Sequence, residues 1–309
     1  MIVTATINSA IDRIINVDRL AFEHRAYINS SRESPGGRGI NSSCVIHSFG
    51  GETLAVATAG GDAGERFVKK LAGCGFRVSV VPIRQEIRTD LTITDKHGLT
   101  VNLNEPGPQL SGAEATRFER MVRESLSGAR WLMICGSIPP GVPTSFYGKL
   151  VKLAHRKKVP TLLRAGGEPL REAIAAHPTM VICNQHEAER LLDRPLLTRT
   201  HFFEAAKQVR SLGAESVILS LGSRGAVAAF PDGLVEAAAP PVQAICPIGA
   251  GDALAAGYTW ARVQGESAEE ALRWGVAAGT ASAQLPGMRF ASLEQTRELR
   301  ERVEILRAD

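Results

Sequence analysis

Short apolar, β-branched runs alternate along this chain with longer segments whose apolar positions recur every three or four residues. The runs at 2–7, 53–58, 77–81, 131–134, 160–163, 180–182 and 216–220 predict buried strands. The longer segments at 39–49, 65–72, 112–125, 143–155, 187–192, 201–212, 250–263 and 268–283 predict helices. This order predicts an α/β fold: a doubly wound, mostly parallel sheet, helices on both faces, and ligands at the carboxyl ends of the strands. Two stretches break the alternation. Residues 12–31, and 88–103 with a turn at Lys96-His97-Gly98, read as strands without intervening helices, the second as a hairpin. They predict a small antiparallel β-sheet, formed by about 12–34 and 86–104, on what is otherwise a single domain over 1–309. Such a sheet cannot bury both faces alone. It is expected to lie over the cleft as a lid and to favour pairing with a second copy of the chain.

Just before the helix predicted at 250–263 stands Ile248-Gly249-Ala250-Gly251-Asp252, an acid set behind a tight glycine turn. Glycine lets the backbone N–H groups approach a negative charge, and the helix N-terminus adds about half a positive charge aimed at the same point. An aspartate at the mouth of that hole is placed to take a proton from an attacking hydroxyl while phosphate charge develops beside it. That is the chemistry of a kinase. The same residues also suit an ordinary turn with an acid capping a helix, so the other motifs have to decide.

With 309 residues, 44% hydrophobic and 22% charged, the chain is long enough for one large domain, which excludes fibrous and disordered classes. A net charge of +4 with scattered Lys and Arg implies no nucleic-acid footprint. The segment Met1 to Ile7 has no basic start or cleavage-like site, and no apolar run approaches membrane-spanning length, so a cytoplasmic protein with no membrane partner is expected. The five cysteines, Cys44, Cys74, Cys135, Cys183 and Cys246, are widely spaced in mostly apolar company and read as reduced core residues. Neither they nor the seven histidines show a metal-ligand spacing. Any metal should be Mg²⁺ carried by a nucleotide.

Five further constellations follow predicted strand ends. Pro35-Gly36-Gly37-Arg38-Gly39-Ile40-Asn41 sets glycines around an arginine before a helix, offering backbone donors and a guanidinium to an anion. Asn8 and Asp12 bracket the end of the first strand and suit sugar hydroxyls, although Asp12 equally suits a surface acid. Residues 135–141 end a strand in a stiff turn that presents Ser137. Asn184 and Glu187 form an N-x-x-E that could organise water around Mg²⁺ or simply cap a helix. Ser220, Gly222 and Gly225 lie in a glycine turn able to receive nucleotide phosphates.

In this order the motifs resemble the ribokinase-type carbohydrate kinases, in the phosphofructokinase B branch, and look most like 1-phosphofructokinases and tagatose-6-phosphate kinases. The resemblance runs end to end and includes Arg88-Thr89-Asp90 and Leu103-Asn104-Glu105-Pro106-Gly107-Pro108. It implies a ribokinase-like domain with a β-sheet lid that commonly mediates homodimers, and a cofactor set of ATP and Mg²⁺. It matches Asp252 to the catalytic base and the amides of Gly249, Ala250 and Gly251 to the anion hole. Asp12, Gly37 and Asn41 match positions that hold sugar hydroxyls, and Arg88 and Ser137 match positions that hold the substrate's own phosphate. Arg38 stands where relatives usually carry a lysine. Asn184 and Glu187 match the magnesium-water motif, with no direct protein ligand to the metal, and Ser220, Gly222 and Gly225 match the nucleotide loop.

The departures cluster. Arg164-Ala165-Gly166-Gly167 replaces a motif with an acid near the phosphates, Ile182-Cys183 replaces Lys-Pro before Asn184, and Cys246-Pro247-Ile248 replaces a polar lead-in. Arg164 would either pair with the phosphates or compete with Mg²⁺. Competition is the expectation, so Arg164→Asp is expected to ease the metal requirement. Two functions are carried forward: an ATP-dependent kinase acting on fructose 1-phosphate, tagatose 6-phosphate or fructose 6-phosphate, and a catalytically weakened relative that binds sugar phosphate or nucleotide as a sensor or partner.

Overall fold

The computed structural model describes residues 1–21 and 24–308; residues 22 and 23 of the expected lid span lie outside the described residues. The chain opens with β1 (Ile2–Thr6), then leaves for a second sheet through β2 (Ala10–Val17) and β3 (Ile28–Gly36). It returns through α1 (Arg38–Ser48), β4 (Thr53–Ala59), α2 (Gly61–Ala72) and β5 (Arg77–Pro82), and adds β6 (Arg88–Asp95) and β7 (Thr100–Leu103) to the second sheet. From α3 (Gly112–Ser125) onward strand and helix alternate: β8 (Trp131–Cys135), α4 (Phe146–Arg156), β9 (Thr161–Arg164), α5 (Gly167–Ile174), β10 (Met180–Asn184). After α6 (Gln185–Leu192) and α7 (Arg199–Ser211) come β11 (Ser216–Ser220), β12 (Gly225–Phe230) and β13 (Gly233–Ala238). Helices α8 (Ala250–Gln264), α9 (Ala268–Ala283) and α10 (Leu293–Arg300) precede β14 (Glu304–Ala308).

The main sheet has the order β14-β13-β12-β11-β10-β9-β8-β1-β4-β5. It is parallel from β11 to β5, as the βα alternation predicts, and β12 to β14 add an antiparallel edge. β1, β4 and β8 are buried at every position, which is why they read as unbroken apolar runs rather than as alternation. One core layer packs Phe67, Phe118, Leu150 and Leu170 from α2 to α5 on one face. The other packs Val45, Ile46, Leu254 and Val276 from α1, α8 and α9 on the opposite face.

The second sheet has the order β3-β2-β6-β7. Its outer pairings are antiparallel, as expected, but β2 and β6 run parallel, because the chain builds α1, β4, α2 and β5 between them. Strands β12 to β14 and helices α5 and α10 were not anticipated. β12 and β13 are alanine-rich and carry little intrinsic strand signal, so pairing onto β11 makes them strands. α10 does carry a legible start, a capping box between Ser292 and Gln295. All five cysteines are free thiols; Cys135, Cys183 and Cys246 are buried and Cys44 and Cys74 half-buried. Among the described residues, no helix is long and apolar enough to cross a membrane.

Candidate functional site

The carboxyl ends of the parallel strands meet at one edge of the main sheet. Cys135 at the end of β8 pairs with Arg164 at the end of β9, and Asn184 at the end of β10 pairs with Ser220 at the end of β11. A cavity of about 780 Å³ opens there, walled by Arg164, Asn184 and Ser220 at the ends of β9 to β11, by the start of α8 and by the second sheet.

Gly249 caps α8 at φ 83°, a left-handed conformation that glycine adopts without strain. Beyond it, Asp252 N donates to Gly249 O at 2.9 Å, and Ala250 N donates to Pro247 O at 3.2 Å. Of the three amides expected to form an anion hole, Ala250's is therefore already engaged inside the turn. Those of Gly249 and Gly251 donate to no backbone carbonyl among the described residues. Asp252 is only 4% exposed and both its oxygens are engaged. Oδ2 accepts from Asn41 Nδ2 at 2.9 Å, and Oδ1 accepts from Arg164 Nε at 2.9 Å. Arg164 reaches the cleft, and its partner there is Asp252, which neither sequence alternative named. Arg164→Asp would thus set two carboxylates against each other in a buried site, and the expectation built on a free cation there loses its basis.

Asn41 lies one turn into α1, whose cap is Gly37 at φ 109°. Arg38, the first residue of that helix, is held by Glu187: Nη1 donates to Oε1 at 2.9 Å. Glu187 Oε2 accepts from Asn184 N at 2.9 Å while Asn184 Oδ1 accepts from Glu187 N at 2.8 Å. The N-x-x-E is therefore a complete capping box, and its glutamate also anchors Arg38. Asn184 walls the cavity and Glu187 stands behind it.

In the second sheet the register sets Asp12 directly beside Asp90 and Ala10 beside Arg88. Burial pushes the Asp12 carboxyl up to about 8, helped by the charges of Asp90 and Asp252 and opposed by Arg88. Arg88 pairs with Asp90 at 3.1 Å and donates to Glu105 O at 2.8 Å. Ser137 is exposed and does not wall the cavity; its Oγ accepts from Asn8 Nδ2 at 2.9 Å. Ser220, Gly222 and Gly225 do wall it, with Gly222 and Gly225 at φ 62° and 95°.

Sequence reasoning missed much of this wall. Beside the expected Arg88, Asp90 and Thr92 of β6 and Asn102 of β7 line the cavity. The two-residue spacing in β6 was the available signal, since alternate strand residues share a face. The wall at 239–244 and in α9 at Val276, Gly279 and Thr280 carries no motif and had no comparable signal. Among the described residues, no cluster of three or more His, Cys, Asp or Glu side chains could hold a metal ion.

An α/β domain whose strand ends carry a glycine turn, a buried acid and several arginines is the architecture of a phosphate-handling enzyme. The chain belongs to the pfkB family of carbohydrate kinases, whose pattern it matches over residues 2–296. It is 31% identical over 301 residues to the ATP-dependent 6-phosphofructokinase isozyme 2 of Escherichia coli, covering 96% of this chain and 97% of that one. It is 30% identical over 288 residues to the enzyme of the same name from Mycobacterium tuberculosis, covering 93% and 85%. The crystal structure of Escherichia coli phosphofructokinase-2 in complex with potassium superposes with a TM-score of 0.91 at 30% identity, covering 97% and 98% of the two chains. Arabidopsis thaliana ribokinase shares the fold, with a TM-score of 0.77 at 22% identity over 97% and 98%. The ribokinase-like α/β fold expected from the sequence is the one observed.

Proposed function

We propose that this carbohydrate kinase transfers the γ-phosphoryl group of ATP to a hydroxyl of a ketohexose phosphate, with Asp252 as the general base. The observation that carries the reading is Asp252 itself, a buried carboxylate in the first turn of α8, directly behind the glycine turn and on the wall of the cavity. Each carboxylate oxygen already accepts one hydrogen bond and keeps further lone-pair capacity. One oxygen takes the proton of the acceptor hydroxyl. The hydroxyl oxygen then bonds to the γ-phosphorus, the bond to the β-phosphate oxygen breaks, and ADP leaves with that electron pair. The Gly249 and Gly251 amides, with the α8 N-terminus, receive the charge that develops on the transferring group.

The donor set suits a nucleotide phosphate: two amides without backbone acceptors, and an Arg164 Nη1 that is buried and without a hydrogen-bond partner among the described residues. Asn184, on the wall, and Glu187, behind it, would hold Mg²⁺ through water, and the ion would supply charge neutralisation to the nucleotide phosphates. Asp12, Gly37 and Asn41 take the sugar hydroxyls, and Arg88 takes the phosphate already on the sugar, assisted by Ser137 from outside the cavity wall. Arg38 supports this set through Glu187. Ser220, Gly222 and Gly225 receive the nucleotide phosphates. The second sheet acts as the lid, and its outer strands, which expose Ile28 and Leu103, join two copies of the chain.

Among ketohexose phosphates, fructose 6-phosphate comes first, because the two relatives described above are 6-phosphofructokinases. Fructose 1-phosphate and tagatose 6-phosphate follow. A coupled assay of ADP release with ATP, Mg²⁺ and each of the three sugar phosphates tests the reading. Sugar-dependent release with at least one of them is expected; release independent of all three sinks it.

A further inference from the structure

Arg164 closes β9 with its side chain 7% exposed and spends only its Nε on Asp252. Nη1 is buried and partnerless among the described residues, and Nη2 lies so close to the Gly251 backbone that a β-carbon at 251 would collide with it. The guanidinium also walls the cavity. An arginine kept only for structure would bury its donors on internal acceptors, because an unmet buried donor is costly. Here the two η-nitrogens face the glycine turn, and the ε-nitrogen faces the acid.

We infer that Arg164 is a phosphoryl ligand that bridges the transferring γ-phosphoryl group and Asp252, so that the base and the phosphate it serves share one cation. This rests on the kinase reading above. Before transfer, Nε holds the Asp252 carboxylate while the η-nitrogens donate to non-bridging oxygens of the γ-phosphoryl group. Arginine suits this because its planar fork presents several donors in fixed directions. As the acceptor proton moves onto Asp252, the carboxylate loses its charge and its hold on the guanidinium. The cation is then left to the phosphoryl oxygens while the new O–P bond forms and the bond to ADP breaks. The Arg38 guanidinium and the Asp12 and Cys135 side chains, the last two held in their protonated forms, also lie in the field of Asp252, but Arg38 is bound to Glu187. Arg164 is the only cation that hydrogen-bonds Asp252 among the described residues.

The test compares binding of ADP with binding of the β,γ-methylene analogue of ATP, by calorimetry with Mg²⁺. Arg164→Met is expected to weaken the analogue at least about tenfold, the lower end for a lost charge-assisted hydrogen bond, and to change ADP affinity less than threefold. Arg164→Met leaves a buried carboxylate unpaired, so the comparison is repeated in Asp252→Asn, where removing the cation strands no charge. The same selective loss is expected between Asp252→Asn and Asp252→Asn/Arg164→Met. In turnover, Arg164→Met should lower kcat about 100-fold or more with the sugar-phosphate KM within threefold, and Arg164→Lys should recover part of kcat. An analogue-to-ADP affinity ratio that Arg164→Met leaves unchanged in both backgrounds overturns the inference while the kinase reading stands. A wild-type protein that binds neither nucleotide overturns the kinase reading and this inference with it.

Discussion

Each arginine at the cavity wall is partnered by a carboxylate of the same chain: Arg88 by Asp90, Arg38 by Glu187 and Arg164 by Asp252. A substrate phosphate has to compete with an internal acid for Arg88 and Arg38, so the net gain per contact there falls below that of a free arginine, whereas Arg164 keeps Nη1 without a partner among the described residues. Asp252→Asn keeps the hydrogen bond from Asn41 sterically possible but cannot accept a proton. We expect kcat to fall at least about 100-fold, with substrate affinity and the fold retained. Near-wild-type kcat would remove Asp252 from the proton transfer. For Arg88→Ala, loss of a charge-assisted hydrogen bond worth about 1.5–3 kcal/mol predicts a drop of roughly 10–150-fold in kcat/KM for the sugar phosphate, and a much smaller one for the unphosphorylated sugar. Equal losses on both would assign Arg88 a structural role. Asp12, raised to about 8, keeps its proton in the native state up to that pH, whereas the unfolded chain releases it near pH 4. The native state binds the extra proton between those values, so this group lowers stability as pH rises across that window. Melting temperatures at pH 5 and pH 8 should therefore fall further with pH in the wild type than in Asp12→Asn. Identical slopes would contradict it.

At the scale of elements, the catalytic end is assembled from pieces that each solve a local problem. The capping box at the start of α6 satisfies two orphan backbone donors, and its glutamate has one oxygen left for Arg38. The second sheet turns alternate residues of β6 to the cavity. Its two outer strands, β3 and β7, are edges that expose Ile28 and Leu103 at 57% and 51%. Exposed apolar edges are templates for pairing with another strand. We expect the wild type to run as a dimer in light scattering and Ile28→Asp to shift it towards monomer, with little change in the melting of the monomer itself. A variant that keeps the wild-type mass would place the interface elsewhere.

Across the whole molecule, the position of the glycine turn depends on how closely α8 and α9 approach. A β-carbon at Gly257 would collide with Ala278, and one at Gly275 would meet Leu254 O at 2.8 Å. Gly275→Val overpacks this contact, which costs about 1–3 kcal/mol. It should lower the melting temperature and, because α8 carries Asp252, reduce kcat; a melting temperature equal to the wild type's would show that the helices have room to shift. The features legible in the sequence were those written in short windows. The buried strands β1, β4 and β8 showed as unbroken apolar runs, and the start of α8 showed as two glycines before an acid. The hairpin of β6 and β7 showed as two runs around Lys96-His97-Gly98. What only the tertiary structure decided are the pairings between distant residues: Arg164 with Asp252 across 88 positions, Arg38 with Glu187 across 149, and Asn41 with Asp252 across 211. The parallel pairing of β2 with β6 and the antiparallel edge of β12 to β14 belong with them. Local propensity and periodicity act over a few residues. Partners at these separations are chosen by sheet register and helix packing, which bring together side chains that no window of the sequence contains.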